Sequence, residues 1–234
     1  MTRFWVGVSG FSYASWIGEF YPQGTQTGRM LEAYSASLHS VEVNSTFYHL
    51  PTQTTTSKWA DSTPRDFQFS FKAYRKITHH KRLKDAKTDF DLFLHGLKPL
   101  GEKLGCVLVQ LPPYAKADFD VLEKFLTEKP EFIRLALEFR HESWFSDQLS
   151  ALLSKYDTAL CIADTAEMKP VVQRTAQFTY ARLRRDLYSK ADLKSWSERL
   201  YTLTESGDCF VYFKHDETGK APRMAVEFDS MLNN

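Results

Sequence analysis

Short stretches in which apolar residues alternate with polar or small ones recur along the chain, at 3–9, 40–44, 67–72, 106–111, 132–140, 158–164, 178–184 and 209–215. A period of two puts successive side chains on opposite faces of a strand, so these runs predict eight β-strands. Their starts lie about 29 residues apart, the length of a strand plus a crossover helix. Apolar positions at helical spacing fill most of the gaps, at 30–38, 89–104, 119–126, 149–156 and 193–204, and a last helix is predicted after Pro222, a good first-turn residue. The stretch after Leu50 and the one around 168–174 have weaker patterns and predict only brief helices. Eight strand–helix units in 234 residues predict an α/β protein of the (β/α)8, or TIM-barrel, class: one domain over 1–234 with two short or irregular helical connections. An open doubly wound sheet gives the same alternation; the strand count favours the barrel.

The alternation also has a direction. Val41 and Val43 alternate with Glu42 and Asn44, Phe69 and Phe71 with Ser70 and Lys72, and Leu135, Leu137 and Phe139 with Ala136, Glu138 and Arg140. One parity is uniformly apolar and predicts the face that packs on outer helices. The other turns polar toward the C-terminal end of each strand, where barrels of this kind keep their chemistry. Carried around the barrel, that parity gathers Ser9, Glu42, Asn44, Lys72, Gln110, Glu138, Arg140, Asp164, Arg182 and Arg184 at one mouth, with Lys214 or His215 from the last strand. Desolvating a ring of ions is expensive, so such a ring points to a functional site more than to a stabilising one.

Composition narrows the picture. An apolar fraction of 43% and a charged fraction of 25% are those of a globular chain, and no run of 18 apolar residues marks a membrane span. Thirty basic residues against 29 acidic leave a net charge of +1, which does not favour nucleic acid as a partner except through a local patch. Cys106, Cys161 and Cys209 are far apart in apolar runs and read as small core residues, not as a disulfide framework. The first residues enter a strand-like run without the apolar core of a signal peptide, and a cytoplasmic protein is expected. Nothing in the sequence reports an oligomeric state.

The strand-end loops carry further matter. Gly7-Val8-Ser9-Gly10-Phe11-Ser12-Tyr13, Trp16 with Phe20-Tyr21-Pro22, and Val41-Glu42-Val43-Asn44-Ser45-Thr46-Phe47-Tyr48 follow the first two strands; Phe69-Ser70-Phe71-Lys72 precedes Arg75, Ile77-Thr78-His79 and Arg82-Leu83. Gln110-Leu111-Pro112-Pro113 and Leu137-Glu138-Phe139-Arg140-His141 with Ser143-Trp144-Phe145 complete the set. In these segments the chain resembles the YecE-like family, domain of unknown function 72. The resemblance runs from the first strand to the last and implies a TIM barrel without an established reaction. Two departures from the family pattern lie at the mouth: Arg182-Leu183-Arg184-Arg185, where relatives tend to carry Arg-Leu-His-Gly, and Phe213-Lys214-His215-Asp216, in place of an Asn-rich ending. Both add positive charge where phosphate sites of this fold often lie, and Gly219 ahead of the last helix could supply backbone donors there.

Three functions follow as alternatives. The first is an enzyme acting on a small phosphorylated or carboxylated molecule by acid/base chemistry. Glu138 is then the base, Asp164 its orienting partner, and Glu42 and Lys72 further catalytic candidates. Arg140, Arg182 and Arg184 clamp the anion; Asn44, Arg75, Gln110, His141 and His215 contribute polar contacts, and Tyr13, Tyr48 and Trp144 offer rings for stacking. Arginines around a carboxylate lower its pKa and burial raises it, and the sequence leaves that balance open. The second is a metal-dependent phosphoesterase acting on nucleic acid, with a divalent ion on Glu42, Glu138, Asp164, His141 and His215; no cofactor is otherwise predicted. The third is a noncatalytic nucleotide or single-strand binder using the basic and aromatic lining. Nucleophile-elbow, zincin and Walker patterns are each incomplete in this chain.

Overall fold

The computed structural model describes residues 2–205 and 207–233. Nine parallel segments form one sheet: β1 (Arg3–Ser9), β2 (Ser40–Val43), β3 (Gln68–Lys72), β4 (Leu104–Gln110), β5 (Leu135–Glu138), β6 (Thr158–Leu160), β7 (Ile162–Asp164), β8 (Thr179–Leu183) and β9 (Asp208–Phe213). They are ordered β6-β5-β4-β3-β2-β1-β9-β8-β7. Only Cys161 separates β6 from β7, and its N–H donates to the Leu137 carbonyl at 2.8 Å. The two ends of the sheet are therefore halves of one strand, and the chain makes the eight-strand barrel that the alternation predicts.

Among the described residues seven α-helices wrap it: α1 (Met30–Ser35), α2 (Gln53–Asp61), α3 (Lys87–Leu97), α4 (Phe119–Thr127), α5 (Asp147–Lys155), α6 (Lys190–Leu203) and α7 (Lys220–Asn233). Several start where a short polar side chain satisfies a free amide: Thr52 accepts from the N–H of Thr55, Asp118 from Val121 and Ser146 from Leu149, while Ser189 and Asp192 cap one another reciprocally. The segment after Leu50 forms a helix as long as α4 and α5, so only one connection is irregular. The brief helix expected around 168–174 is absent. Pro170 holds its predecessor extended and offers no N–H, and Thr175 latches the chain back by accepting from Leu160 N–H at 2.8 Å and donating to the Thr158 carbonyl at 2.7 Å. No helix among the described residues is long and apolar enough to cross a membrane.

Parity decides what faces where. Phe4, Val6 and Val8, Val41 and Val43, Leu135 and Leu137, and Val211 and Phe213 pack outward under the helices. Trp5 of β1, Tyr180 of β8, Phe210 and Tyr212 of β9, and Phe178 just ahead of β8 fill the barrel interior against the small side chains of Ala136, Ala159, Cys161 and Ala163. Large residues on one side and small ones on the other fill the lumen. The three cysteines are buried and unpaired, as expected of small core residues.

One glycine is dictated by contact. Between β1 and β2 the Tyr34 hydroxyl accepts from the Val8 N–H and donates to the Ser40 carbonyl, both at 2.9 Å, so a side chain completes the ladder. A Cβ on Gly7 would lie 2.0 Å from the Ser40 carbonyl oxygen and 3.0 Å from that hydroxyl. Tyr34→Phe leaves a buried N–H and a buried carbonyl unpaired and is expected to lower the unfolding free energy by about 2 kcal/mol in urea titrations. Gly7→Ala forces the strands apart and is expected to cost about 3 kcal/mol or more. Melting curves superimposable on the native one would refute both.

Candidate functional site

The inward parity reaches the C-terminal rim of the barrel as a buried ion cluster. Arg182 on β8 lies between two carboxylates: its Nη2 donates to Oε1 of Glu42 on β2 at 2.9 Å, and its Nη1 to Oε2 of Glu138 on β5 at 2.5 Å. The three side chains are 2%, 0% and 1% exposed. The carboxylates accept further bonds, while Arg182 Nε is buried without a hydrogen-bond partner among the described residues. Glu42 also accepts from Ser9 Oγ at 2.7 Å, Tyr180 Oη at 2.8 Å and Asn44 Nδ2 at 3.2 Å; Glu138 accepts from Gln110 Nε2 at 2.6 Å and Arg140 Nε at 3.0 Å. Beneath, the Tyr212 hydroxyl lies 2.6 Å from Ser40 Oγ and 2.8 Å from Ser70 Oγ, so a polar layer separates the ions from the apolar floor.

These contacts settle the balance the sequence leaves open. Burial by itself raises both carboxyl pKa values, but the Arg182 guanidinium outweighs it, aided by Arg184 at Glu42 and Arg140 at Glu138, and each is held down at about 2. Both are ionised, and each of their oxygens accepts at least one hydrogen bond. Glu138 is thus a poor proton acceptor, contrary to the role the sequence suggests for it.

Lys72, at the end of β3, behaves differently. Its ammonium sits 4.3 Å from the centre of the Phe47 ring, and no carboxylate among the described residues pairs with it. Burial, then repulsion from Arg182, pull its pKa down to about 8 against the opposing pull of Glu138 and Glu42. Arg184 donates to Ser9 Oγ at 2.8 Å instead of to an acid, and burial with the neighbouring Arg182 lowers it to about 10. At the rim, the Tyr13 hydroxyl donates to the Ser9 carbonyl at 3.1 Å and its ring stacks on His215, centroids 5.1 Å apart.

The structure thus brings together Glu42, Asn44, Lys72, Gln110, Glu138, Arg140, Arg182 and Arg184, with Tyr13 and His215 at the edge. The other predicted residues lie elsewhere. Asp164 has the outward parity of Leu160 and Ile162; it accepts from Arg185 Nε at 2.9 Å and Trp196 Nε1 at 3.1 Å, on the α6 side, and does not orient Glu138. Trp144 is a core residue of its loop, stacked on Phe139 with its N–H on the Ala115 carbonyl, and offers no face to a ligand. His141 caps its own turn through Ser143. Tyr48 is exposed and packs edge-on against Phe47, and Arg75 is exposed beside the turn Lys76–His80. Of the two added arginines after β8 only Arg184 joins the mouth; Arg185 pairs outward with Asp164. The donors expected near Gly219 are taken, because the Asp216 carboxylate accepts from the N–H groups of Thr218, Lys220 and Ala221.

Tyr180, outside the residues predicted for the mouth, bonds Glu42, and Phe47, predicted only as part of a strand-end motif, lies against Lys72. Tyr180 shares the parity of Arg182 one layer deeper and was there to be found; nothing in the sequence singles out Phe47 as the ring beneath Lys72. Among the described residues, no group of three or more His, Cys, Asp or Glu side chains is placed to hold a metal ion. The donors imagined for one are divided between Arg182, the α6 side and a loop cap.

Glu138→Gln leaves Arg182 buried with half its countercharge, so it is expected to destabilise the fold by about 3–5 kcal/mol in denaturant titrations. The carboxyl pKa values lie below those of an unfolded chain, near 4.5, so this stabilisation is complete above that pH and is lost as pH falls toward about 2. Native protein should lose stability steeply across that interval and Glu138→Gln less so. A variant as stable as the parent at pH 7 would contradict the buried ion trio.

A family model described as a protein of unknown function, DUF72, matches residues 5–234. The UPF0759 protein YunF of Bacillus subtilis (strain 168) is 35% identical over 150 residues, covering 61% of this chain and 52% of that protein. The UPF0759 protein YecE of Escherichia coli (strain K12) is 28% identical over 144 residues, covering 61% and 50%. The chain spans about half the length of the curated relatives it matches. Among solved structures, the DUF72 family protein TM1631 from Thermotoga maritima MSB8 superposes with a TM-score of 0.88 at 28% identity, over 99% of this chain and 100% of that one. With the barrel, the strand-end motifs and the family model agreeing along nearly the whole sequence, the chain belongs to the DUF72 family.

Proposed function

We propose that this protein is an enzyme that takes a small phosphorylated or carboxylated molecule into the barrel mouth and moves a proton on it through Lys72. The observation that carries this reading is the ammonium of Lys72, without a carboxylate partner among the described residues, at a mouth that also holds Arg184 and whose two carboxylates are already occupied by Arg182 and Arg140. Two acids and two paired guanidiniums cancel, leaving the charges of Lys72 and Arg184 uncompensated. An anion would supply the missing countercharge, with Arg140, about 42% exposed, as a third contact from the rim.

Lys72 is also the group fitted to exchange a proton near neutrality. With its pKa at about 8 an appreciable fraction is the free amine, whereas a carboxyl held at about 2 takes up a proton very rarely. Glu42 and Glu138 then act as positioning residues. They hold Arg182, whose charge adds to the larger effect of burial in keeping the amine of Lys72 from full protonation. A bound anion raises the Lys72 pKa, so loading the site and charging the acid are coupled.

Because the Lys72 pKa is lower in the folded chain than in the unfolded one, its charge opposes folding below pH about 8, and that opposition fades as pH rises toward the ordinary lysine value. Lys72→Met is therefore expected to raise the thermal midpoint at pH 7 by about 5 °C, with the gain shrinking above pH 8. Phosphate should stabilise the native protein but not Lys72→Met or Arg184→Gln. Indifference of the native midpoint to phosphate and to small carboxylates alike would remove the anion reading.

The enzymatic part has its own test. In D2O, a panel of phosphorylated and carboxylated metabolites that stabilise the protein should include at least one that acquires deuterium at carbon, followed by NMR, with the exchange lost in Lys72→Met. Stabilisation without exchange in any of them would make the mouth a binding site only.

A further inference from the structure

We infer that the cleft between the first two strand–helix loops is the second half of the ligand site, and that the anion held at the mouth carries a planar ring bearing an N–H or O–H donor. This rests on the reading of the mouth as an anion site. The cleft, about 500 Å3, is walled by Phe11, Leu31, Val43 and Trp59 and edged by Asn44 and Lys58. It is of the size and apolar character that small ligands occupy, and nothing in the acid/base chemistry of the mouth accounts for it.

Asn44 joins the two halves. Its Nδ2 donates to Glu42 Oε1, inside the ion cluster, and that bond fixes which way the amide faces. Its Oδ1 is buried and has no partner among the described residues. Buried acceptors are rarely left unpaired, and a donor on a ligand seated between mouth and cleft would satisfy this one. Tyr13 stands on the same boundary, lining the cleft with one side of its loop while its hydroxyl is tied to the Ser9 carbonyl.

The aromatic wall is built for a ring. Trp59 is braced by Phe69 and Phe71, stacked at 6.4 and 6.2 Å, and by Phe11 edge-on at 6.0 Å. Of the five tryptophans, Trp5, Trp16, Trp144 and Trp196 are buried, whereas Trp59 is only half-buried and lines the cleft. A preorganised indole face held by three other rings gives stacking at little entropic cost.

The same indole reports on occupancy. In fluorescence titrations of the full chain, phenyl phosphate is expected to bind at least tenfold more tightly than inorganic phosphate and to perturb the Trp59 emission, and the 3- or 4-amino derivative to bind more tightly still. A Cβ on Gly28, at the cleft wall, meets no atom within 4 Å, so Gly28→Tyr can fill the cleft without disturbing the backbone. That variant, and independently Phe11→Ala, should abolish the gain from the ring, and Asn44→Leu the gain from the amino group. Equal affinity for phosphate and phenyl phosphate, or a ring-dependent gain that survives both cleft variants, overturns the inference while leaving the mouth reading intact. Amino derivatives that bind no better than phenyl phosphate overturn the donor. Failure of every phosphate compound to bind removes the mouth reading and the cleft with it.

Discussion

Everything distinctive about the mouth depends on one buried guanidinium. Arg182 reaches across the lumen from β8 to carboxylates on β2 and β5, and so ties three strands that share no ladder. Removing three ions from water is expensive, and an apolar replacement of similar shape often serves stability as well or better. What the trio adds is specification. Two acids and an arginine, with every carboxylate oxygen engaged, admit one arrangement, and that arrangement fixes where Lys72, Arg140 and Arg184 stand.

The barrel makes such a cluster affordable by grading its interior. Aromatic side chains of β1, β8 and β9 seal the lower lumen, and the hydroxyls of Tyr180 and Tyr212 turn upward into Glu42 and into Ser40 and Ser70. Each tyrosine buries its ring below and presents its polar end to the layer above. The transition from apolar floor to ionic mouth thus takes place within two residues of each strand, and each carboxylate oxygen of Glu42 and Glu138 meets a donor.

Much of this was legible in the alternation of residues. Strand number, the outward apolar parity of Val41, Leu135 and Phe69, and the convergence of Glu42, Lys72, Glu138 and Arg182 follow from counting in twos, because a parallel strand in a barrel leaves a side chain only two choices. Asp164 is the exception. The parity of Leu160 and Ile162 turns it outward, although an acid at a strand end suggests the mouth. Trp144 and His141 were misplaced for another reason: they lie in loops, where no period constrains direction and where a loop's own small core or a capped turn competes with a ligand for the same side chain. The protonation states were not legible at all, since they depend on which term prevails among burial and several guanidiniums at distances that sequence does not encode.

Those protonation states divide the labour at the mouth. A carboxylate free of Arg182 would pair with the Lys72 ammonium, raise its pKa and fill the position the proposed anion would take. By occupying Glu42 and Glu138, Arg182 denies Lys72 both partners and adds its own repulsion to the larger effect of burial. The Phe47 ring then gives the ammonium a resting place that a stronger counterion can displace, since a cation–π contact is weaker than a charge-assisted hydrogen bond. Arg184 extends the same logic. Its nearest acceptor is the neutral Ser9 hydroxyl, itself committed to Glu42, so the arginine is oriented toward the mouth without being neutralised there. Charge is thereby concentrated where it is least compensated, and the acids that look catalytic in the sequence are the ones that keep it so.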